Sequence, residues 1–298
     1  MNLIHNENIN RSRWDQCILE SKNASIFSES IYLDSLNTNW KGLIHGDYKA
    51  VMPVPEQSKF GYSYLSQPIF SRYISIHSKE DIDPNPFYTT LFKTYRTFDI
   101  QVEQRPIEIP INTKISERHY QAISFKDRSI DLISTFSENH VRNIKKSKRL
   151  SHRTINGSLE SVMNLFKSSA FNQIKELQSD HLNVLENLMK QLQQKQKAEF
   201  WEVVDLEGNV CAAACFIISG KCVTYLKGGS SDQGKKSGSM HLLMYDAIQY
   251  YKDKYDCFDF GGSSVKGVAQ FFKGFGADDF VYLRLQNKSI KSILGITK

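Results

Sequence analysis

Residues 201–219 read WEVVDLEGNVCAAACFIIS, and the way this stretch folds decides the fold class. A tryptophan heads a short apolar run, Gly208-Asn209 offers a turn, and a second apolar run follows. Apolar runs on both sides of a Gly-Asn turn signal an antiparallel hairpin. The pattern recurs at 40–55, WKGLIHGDYKAVMPVP, with Gly46-Asp47 as the turn. Alanine follows the turn glycine at the same offset in both, Ala50 after Gly46 and Ala212 after Gly208. A third strand is expected after each hairpin, at Tyr62–Pro68 and at Cys222–Gly228. Two unrelated hairpins would also match this loosely, but the shared offsets favour an internal duplication of one α/β unit.

Beyond the second hairpin, SGSMHLLMYDAIQYYKDK places Met240, Leu243, Met244, Ala247, Ile248 and Tyr251 at helical spacing, with Ser237 or Ser239 as its cap. DCFDF then reads as a buried strand, VKGVAQFFKGF as a helix and FVYLRLQ as a last strand. A fainter helix–strand pair, LFKTYRTFDIQVEQRPIEI, sits in the first half. This order makes an α+β protein with mixed, mostly antiparallel sheets flanked by helices. Between the halves, KDRSIDLISTFSENHVRNIKKSKRL reads as one helix with Ile130, Ile133, Phe136 and Ile144 inward. The expected domains are 1–125 and 154–298, joined by a basic helix at 126–153.

A chain of 298 residues with 40% hydrophobic and 23% charged residues can bury its own core. No apolar run is long enough to span a bilayer, and the N-terminal residues carry no signal-peptide core. The five cysteines, Cys17, Cys211, Cys215, Cys222 and Cys257, form no CxxC pair. They read as free thiols of a reduced, cytoplasmic protein, with no metal site expected. The net charge of +6 is concentrated: no acidic residue lies between Glu138 and Glu160, where Arg142, Lys145, Lys146, Lys148, Arg149 and Arg153 fall. On a helix Arg142, Lys145, Lys146 and Arg149 share one face. That face is either solvated or a binding surface for a polyanion such as a nucleic acid, a nucleotide or a pyrophosphate.

The common catalytic signatures are missing, among them the Walker loop, the GxSxG elbow, HExxH and a strand-anchored GxGxxG. The loop GGSSDQGKKSGS offers backbone N–H groups and Lys235-Lys236 to a phosphate, or is a flexible surface loop. In FDFGGSSVKGVAQFFKGFGADD, residues 258–279, Gly261-Gly262 suit a turn, Ser263-Ser264 a helix cap, and Gly274 and Gly276 a helix end. Asp259 most simply braces the turn. Lys273, after two phenylalanines, is expected to be partly desolvated and suited to an anion or a developing oxyanion. None of the eight histidines lies near a nucleophile in sequence.

Together DFGGSS…GVAQFFKGFGA resembles the DFxG…FKxxFG signature of the FemAB/FemX-like branch of the GNAT superfamily. NHVRNIKKSKR is similar to that branch's RxxIxxAxK segment, with Ser147 in place of alanine, and DYKAVMPVPEQSKFGYSYLSQPIF is similar to its first-domain pattern. The resemblance spans about Trp14 to Leu285 and implies two GNAT-like domains in tandem. It implies an acyltransferase that moves an aminoacyl or acyl group onto an amine, such as one on a cell-wall peptidoglycan precursor. Aminoacyl-tRNA or acyl-CoA would be the donor, with no bound cofactor.

By the same resemblance, Phe272 and Lys273 belong at the reaction centre. Arg142, Lys145 and Arg149 would contact an anionic substrate, and Gly261, Gly262 and Ser263 would position substrate. Tyr64 and Gln67 of the aromatic-rich YSYLSQPIF are the first-domain candidates. Two features depart from relatives: the usual acetyl-CoA loop Q/RxxGxG/A is absent in strict form, and residues 180–197 are too short for the helical arm of some branch members. An acyl-CoA-dependent N-acyltransferase acting on a saccharide or amino sugar, and a non-catalytic RNA- or nucleotide-binding module, are the alternatives.

Overall fold

The computed structural model describes residues 1–36, 39–127, 131–169, 171, 174, 177–262 and 266–287. The chain divides into two compact units, one holding Met1–Arg118 and the stretch from Val281, the other His119–Phe280. This differs from the division expected at 125 and 153. The basic helix lies inside the second unit, and both crossings fall within strands, where composition marks no boundary.

In the first unit β1 (Asn2–His5), β2 (Lys41–His45), β3 (Ala50–Val54) and β6 (His77–Ser78) form one sheet in the order β1-β2-β3-β6. Helices α1 (Arg11–Glu20) and α2 (Ser30–Ser35) precede β2. Trp14 and Trp40 are buried 5.0 Å apart, and their indole N–H groups donate to the Ser28 carbonyl and to Asp34. The expected hairpin is present, with Lys41 opposite Val54 and His45 opposite Ala50. The third strand, β5 (Tyr62–Ser66), pairs not with β3 but with β4 (Glu56–Lys59). Pro53 and Pro55 have no N–H to offer a ladder, and Pro55 separates β3 from β4. Helix α3 (Asn85–Thr94) then leads to β7 (Phe98–Val102), parallel to β5 and antiparallel to the end of β14 (Asp278–Gln286).

The second unit repeats the plan with that strand intact. β9 (Arg153–Asn156), β10 (Ala198–Val204), β11 (Val210–Ser219) and β12 (Cys222–Ser230) run antiparallel in that order. β12 then pairs in parallel with β13 (Cys257–Asp259), which pairs antiparallel with β8 (Lys114–Ser124). β11 therefore does alone what β3 and β4 share in the first unit, which supports the duplication. Helices α5 (Leu159–Ser169), α6 (Ser179–Gln194), α7 (Asp232–Ser237), α8 (Ser239–Tyr251) and α9 (Lys266–Lys273) complete the unit. Its core joins Leu243, Met244 and Ile248 of α8 to Phe216, Phe258, Phe260, Phe272 and Phe275.

Three expectations change. The stretch read as one helix is a 3-10 turn at Leu132–Thr135 followed by α4 (Glu138–Arg149), because Ser137 caps α4 by accepting the His140 N–H. Phe136 and Ile144 are buried as expected, Ile133 is exposed, and Ile130 lies outside the described residues. The glycine- and serine-rich loop instead forms α7, capped by Ser231, and Lys235 pairs with Asp232 at 3.1 Å. Cys222 and Cys257 are not free: they sit opposite each other at the start of the β12–β13 pair and form a disulfide. Register brings together two cysteines that lie 35 residues apart, which spacing alone could not reveal. Cys17, Cys211 and Cys215 are free and buried, as read.

A cross-link closing a loop of that length removes about 3–4 kcal/mol of chain entropy from the unfolded state. Cys222→Ser is expected to lower Tm and to make the melt insensitive to dithiothreitol. The check is thermal denaturation of both proteins with and without reductant.

Candidate active site

β12 and β13 stay paired for only three residues, ending at Thr224 opposite Asp259. Past that point β12 continues to Ser230 and carries a bulge at Leu226, since Phe216 faces Tyr225 while Cys215 faces Lys227. A bulge adds local twist and bends the strand. β13 stops; the Phe260 N–H turns to the Gln121 carbonyl of β8 at 2.9 Å. Gly261 and Gly262 both take positive φ, 79° and 73°. A Cβ on Gly261 would lie 2.6 Å from the Tyr225 carbonyl oxygen, and one on Gly262 2.9 Å from that of His119. Asp259 accepts the Gly261 N–H at 2.8 Å, the bracing role expected of it. The Gly261 N–H is thus committed and is not a donor for substrate; Ser263 lies outside the described residues.

The C-terminal end of helix α9 packs against the end of β13. Phe272, expected at the reaction centre, is 3% exposed and stacks on Phe260 at 5.0 Å, so it packs rather than contacts substrate. Lys273 beside it turns outward, and its side chain is 49% exposed, not desolvated as expected. On an amphipathic helix the residue next to a core anchor falls about 100° around the axis, away from the core. Its ammonium pairs with Asp279 Oδ2 at 3.0 Å. The same oxygen meets His119 Nδ1 at 3.1 Å, and Gln121 Nε2 donates to Oδ1 at 2.6 Å. Burial pushes the Asp279 carboxyl up. Hydrogen bonds from Gln121 and Lys273, with the charges of Lys273 and His119, outweigh this and hold it below the ordinary carboxylate value.

Sequence reading missed Asp279, His119 and Gln121. The available signals were alternation, which puts His119 and Gln121 on one face of β8, and the acidic pair Asp278-Asp279 directly after FKGFGA.

Helix α4 is latched onto the end of α9. His140 is buried, its Nε2 lies 2.8 Å from the Phe271 carbonyl, and its Nδ1 lies 2.9 Å from Ser137 Oγ. A carbonyl only accepts, so Nε2 carries the proton and the Ser137 hydroxyl donates to Nδ1. Burial lowers the basicity of His140 more than the bond to Phe271 raises it. His241, 4.7 Å away ring to ring, is pushed down to about 4 by burial and by His140, so both rings are neutral near pH 7. Ser137 N–H donates to the Gly274 carbonyl, completing the latch.

From this anchor α4 presents Arg142, Lys145, Lys146 and Arg149 to solvent, opposite its buried residues His140, Ile144 and Ser147. Among the described residues no carboxylate forms an ion pair with any of the four. Arg142 reaches Asn139, Lys146 the Lys236 carbonyl, and among the described residues Lys145 and Arg149 have no side-chain partner. Tyr64 and Gln67 belong to the first unit. Tyr64 is half-buried on β5. Gln67 accepts the Gln101 N–H at 3.0 Å and donates to Ser71, so it braces a loop and its amide is occupied. No cluster of three or more potential metal ligands occurs among the described residues.

Residues 140–274 match the family model described as an acetyltransferase (GNAT) domain. The crystal structure of FemX superposes on the whole chain with a TM-score of 0.69 at 12% identity, covering 99% of this chain and 100% of that one. This chain has the FemX-like tandem GNAT fold. L-PGS from Bacillus licheniformis superposes with a TM-score of 0.57 at 12% identity, covering 96% of this chain and 94% of its own. A tandem GNAT protein from the clavulanic acid biosynthesis pathway does so at 0.51 and 8% identity, covering 95% and 97%. No curated protein matches the sequence. The GNAT match begins at His140 and ends at Gly274, so its limits coincide with the α4–α9 latch.

Gly274 is required at that latch, because a Cβ there would lie 2.1 Å from His140 Cε1. The ring is tethered through both nitrogens and cannot swing away. Gly274→Ala is therefore expected to destabilise the GNAT domain by about 2 kcal/mol, within the range for overpacked cores. Urea unfolding measures this, and an unchanged midpoint would refute the packing role.

Proposed function

We propose that this GNAT-type acyltransferase moves an aminoacyl group from aminoacyl-tRNA onto an amine, with a nucleotide-linked cell-wall precursor as acceptor. The observation that carries the reading is the latch between the acid-free basic face of α4 and the helix ending in Lys273. A polyanionic donor held along α4 would bring its acylated end toward the half-exposed Lys273 ammonium. The FemX-like fold supports the same choice. No helix among the described residues is long and apolar enough to cross a membrane.

In this reading the acceptor nitrogen attacks the donor carbonyl carbon and the carbonyl electrons move onto oxygen. Lys273 stabilises that oxyanion. Asp279 holds one face of the ammonium, which has three N–H donors and keeps others for substrate. Phe272, sunk in the core against Phe260, fixes where the end of α9 stands. The donor and acceptor supply the reacting bonds, so no metal or redox group is needed.

Lys273→Ala is expected to lower single-turnover transfer from aminoacyl-tRNA by about 10²-fold or more, the usual loss on removing one oxyanion donor. Wild-type rates in that variant would remove Lys273 from the chemistry. Separately, Arg142→Glu with Lys145→Glu should weaken tRNA binding and flatten its dependence on log salt concentration by about 1 to 2. A ligand screen by thermal shift decides the donor, with charged tRNA, uncharged tRNA, acetyl-CoA and a nucleotide-linked peptidoglycan precursor in parallel. Stabilisation by acetyl-CoA alone would overturn the tRNA assignment in favour of an acyl-CoA donor.

A further inference from the structure

We propose that His119 is the general base of the transfer, oriented by Asp279, a role that rests on the acyl-transfer reading above. The assignment follows from the hydrogen-bond inventory of one carboxylate. Asp279 Oδ1 accepts from the Gln121 amide, and Oδ2 accepts from both Lys273 Nζ and His119 Nδ1. Both oxygens are committed to donors that favour the ionised form, so the carboxylate is a poor proton acceptor and a good anchor. Because it only accepts, His119 Nδ1 must carry the hydrogen, which leaves the lone pair on Nε2. The ring is 44% exposed, and Nε2 has no hydrogen-bond partner among the described residues. A histidine held through Nδ1 by a carboxylate, with Nε2 open, is the arrangement used to accept a proton from a nucleophile.

Its location suits the task. Lys273 and His119 sit on the same carboxylate oxygen at 3.0 and 3.1 Å, so the oxyanion donor and the base share a few ångströms. The backbone of His119 also flanks the exit of β13, where Gly262 passes too close for a Cβ. Gln121 fixes the carboxylate from the side away from solvent. Its side chain is fully buried, the carboxylate takes its Nε2, and its Oε1 has no hydrogen-bond partner.

The proposed step balances without any further reagent. As the C–N bond forms and the carbonyl pair moves to oxygen beside Lys273, the amine proton passes to His119 Nε2. When the intermediate collapses, the C–O bond to the donor breaks, and His119 returns the proton to the leaving oxygen. The products are the amide and the deacylated donor. Among the described residues, the charged groups facing His119 are Lys273 of α9 and Asp279 of β14.

The experiment follows single-turnover transfer by the full chain from total aminoacyl-tRNA to a nucleotide-linked peptidoglycan pentapeptide. His119→Ala should slow transfer by 10²- to 10⁴-fold, remove the acidic limb of the pH–rate profile and respond to added imidazole. His119→Gln should be equally slow, with tRNA binding unchanged in both. Asp279→Asn, read by long-range ¹H–¹⁵N NMR, should abolish the single Nδ1–H tautomer seen in the wild type. Normal rates and an unchanged acidic limb in both His119 variants would overturn the base assignment and leave acyl transfer standing. Absence of transfer by the wild type would overturn the acyl-transfer reading, and the base assignment with it.

Discussion

The second unit is organised around a pair of parallel strands that separate three residues after they meet. β12 and β13 begin side by side, tied by the Cys222–Cys257 disulfide, and share register only as far as Thr224 and Asp259. Backbone chemistry makes them part. The bulge at Leu226 turns β12 one way. The Phe260 N–H draws the end of β13 toward β8, and two glycines in the left-handed region take the chain out of the sheet. A Cβ on either glycine would lie within 3 Å of a carbonyl oxygen of a neighbouring strand, 2.6 Å for Gly261 and 2.9 Å for Gly262. Backbone packed this closely makes a rigid frame for the side chains it carries.

Two devices fix the end of α9 beside β13. The first is the core stack of Phe260 with Phe272 and Phe275, which seats α9 so that Lys273 faces solvent. The second is the neutral His140 ring, whose tautomer is set by Ser137 on one side and Phe271 on the other. Through it the start of the basic helix and the end of the lysine helix are held together. The basic face of α4 and the lysine are parts of one arrangement. Asp279 then collects Lys273, His119 and Gln121 on its two oxygens.

Much of the fold was legible because it rests on local signals. The Trp-headed hairpins, the helical spacing in α8 and the terminal strand follow from periodicity and turn residues, and the duplication follows from two glycine–alanine offsets. The misreadings have local causes as well. Pro55 splits one strand into two sheets, and Ser137 ends a 3-10 turn by capping a new helix, a short-range signal hidden inside a convincing apolar pattern. Site chemistry was less legible. Lys273 stood out by its setting, but Phe272 proved to be packing, Gly261 to be a turn whose N–H is spent on Asp259, and Gln67 a loop brace.

By itself the sequence determined the α+β class, the duplicated plan and the concentration of positive charge on one helical face. These depend on spacings of three, four or two residues, which the chain carries wherever it goes. Tertiary structure alone decided the disulfide, the glycine–histidine latch and the cluster on Asp279. His119 and Asp279 lie 160 residues apart, and Cys222 and Cys257 lie 35 apart. Each meeting is set by strand register and by where two strands separate, and those are properties of the assembled sheet rather than of any stretch of sequence.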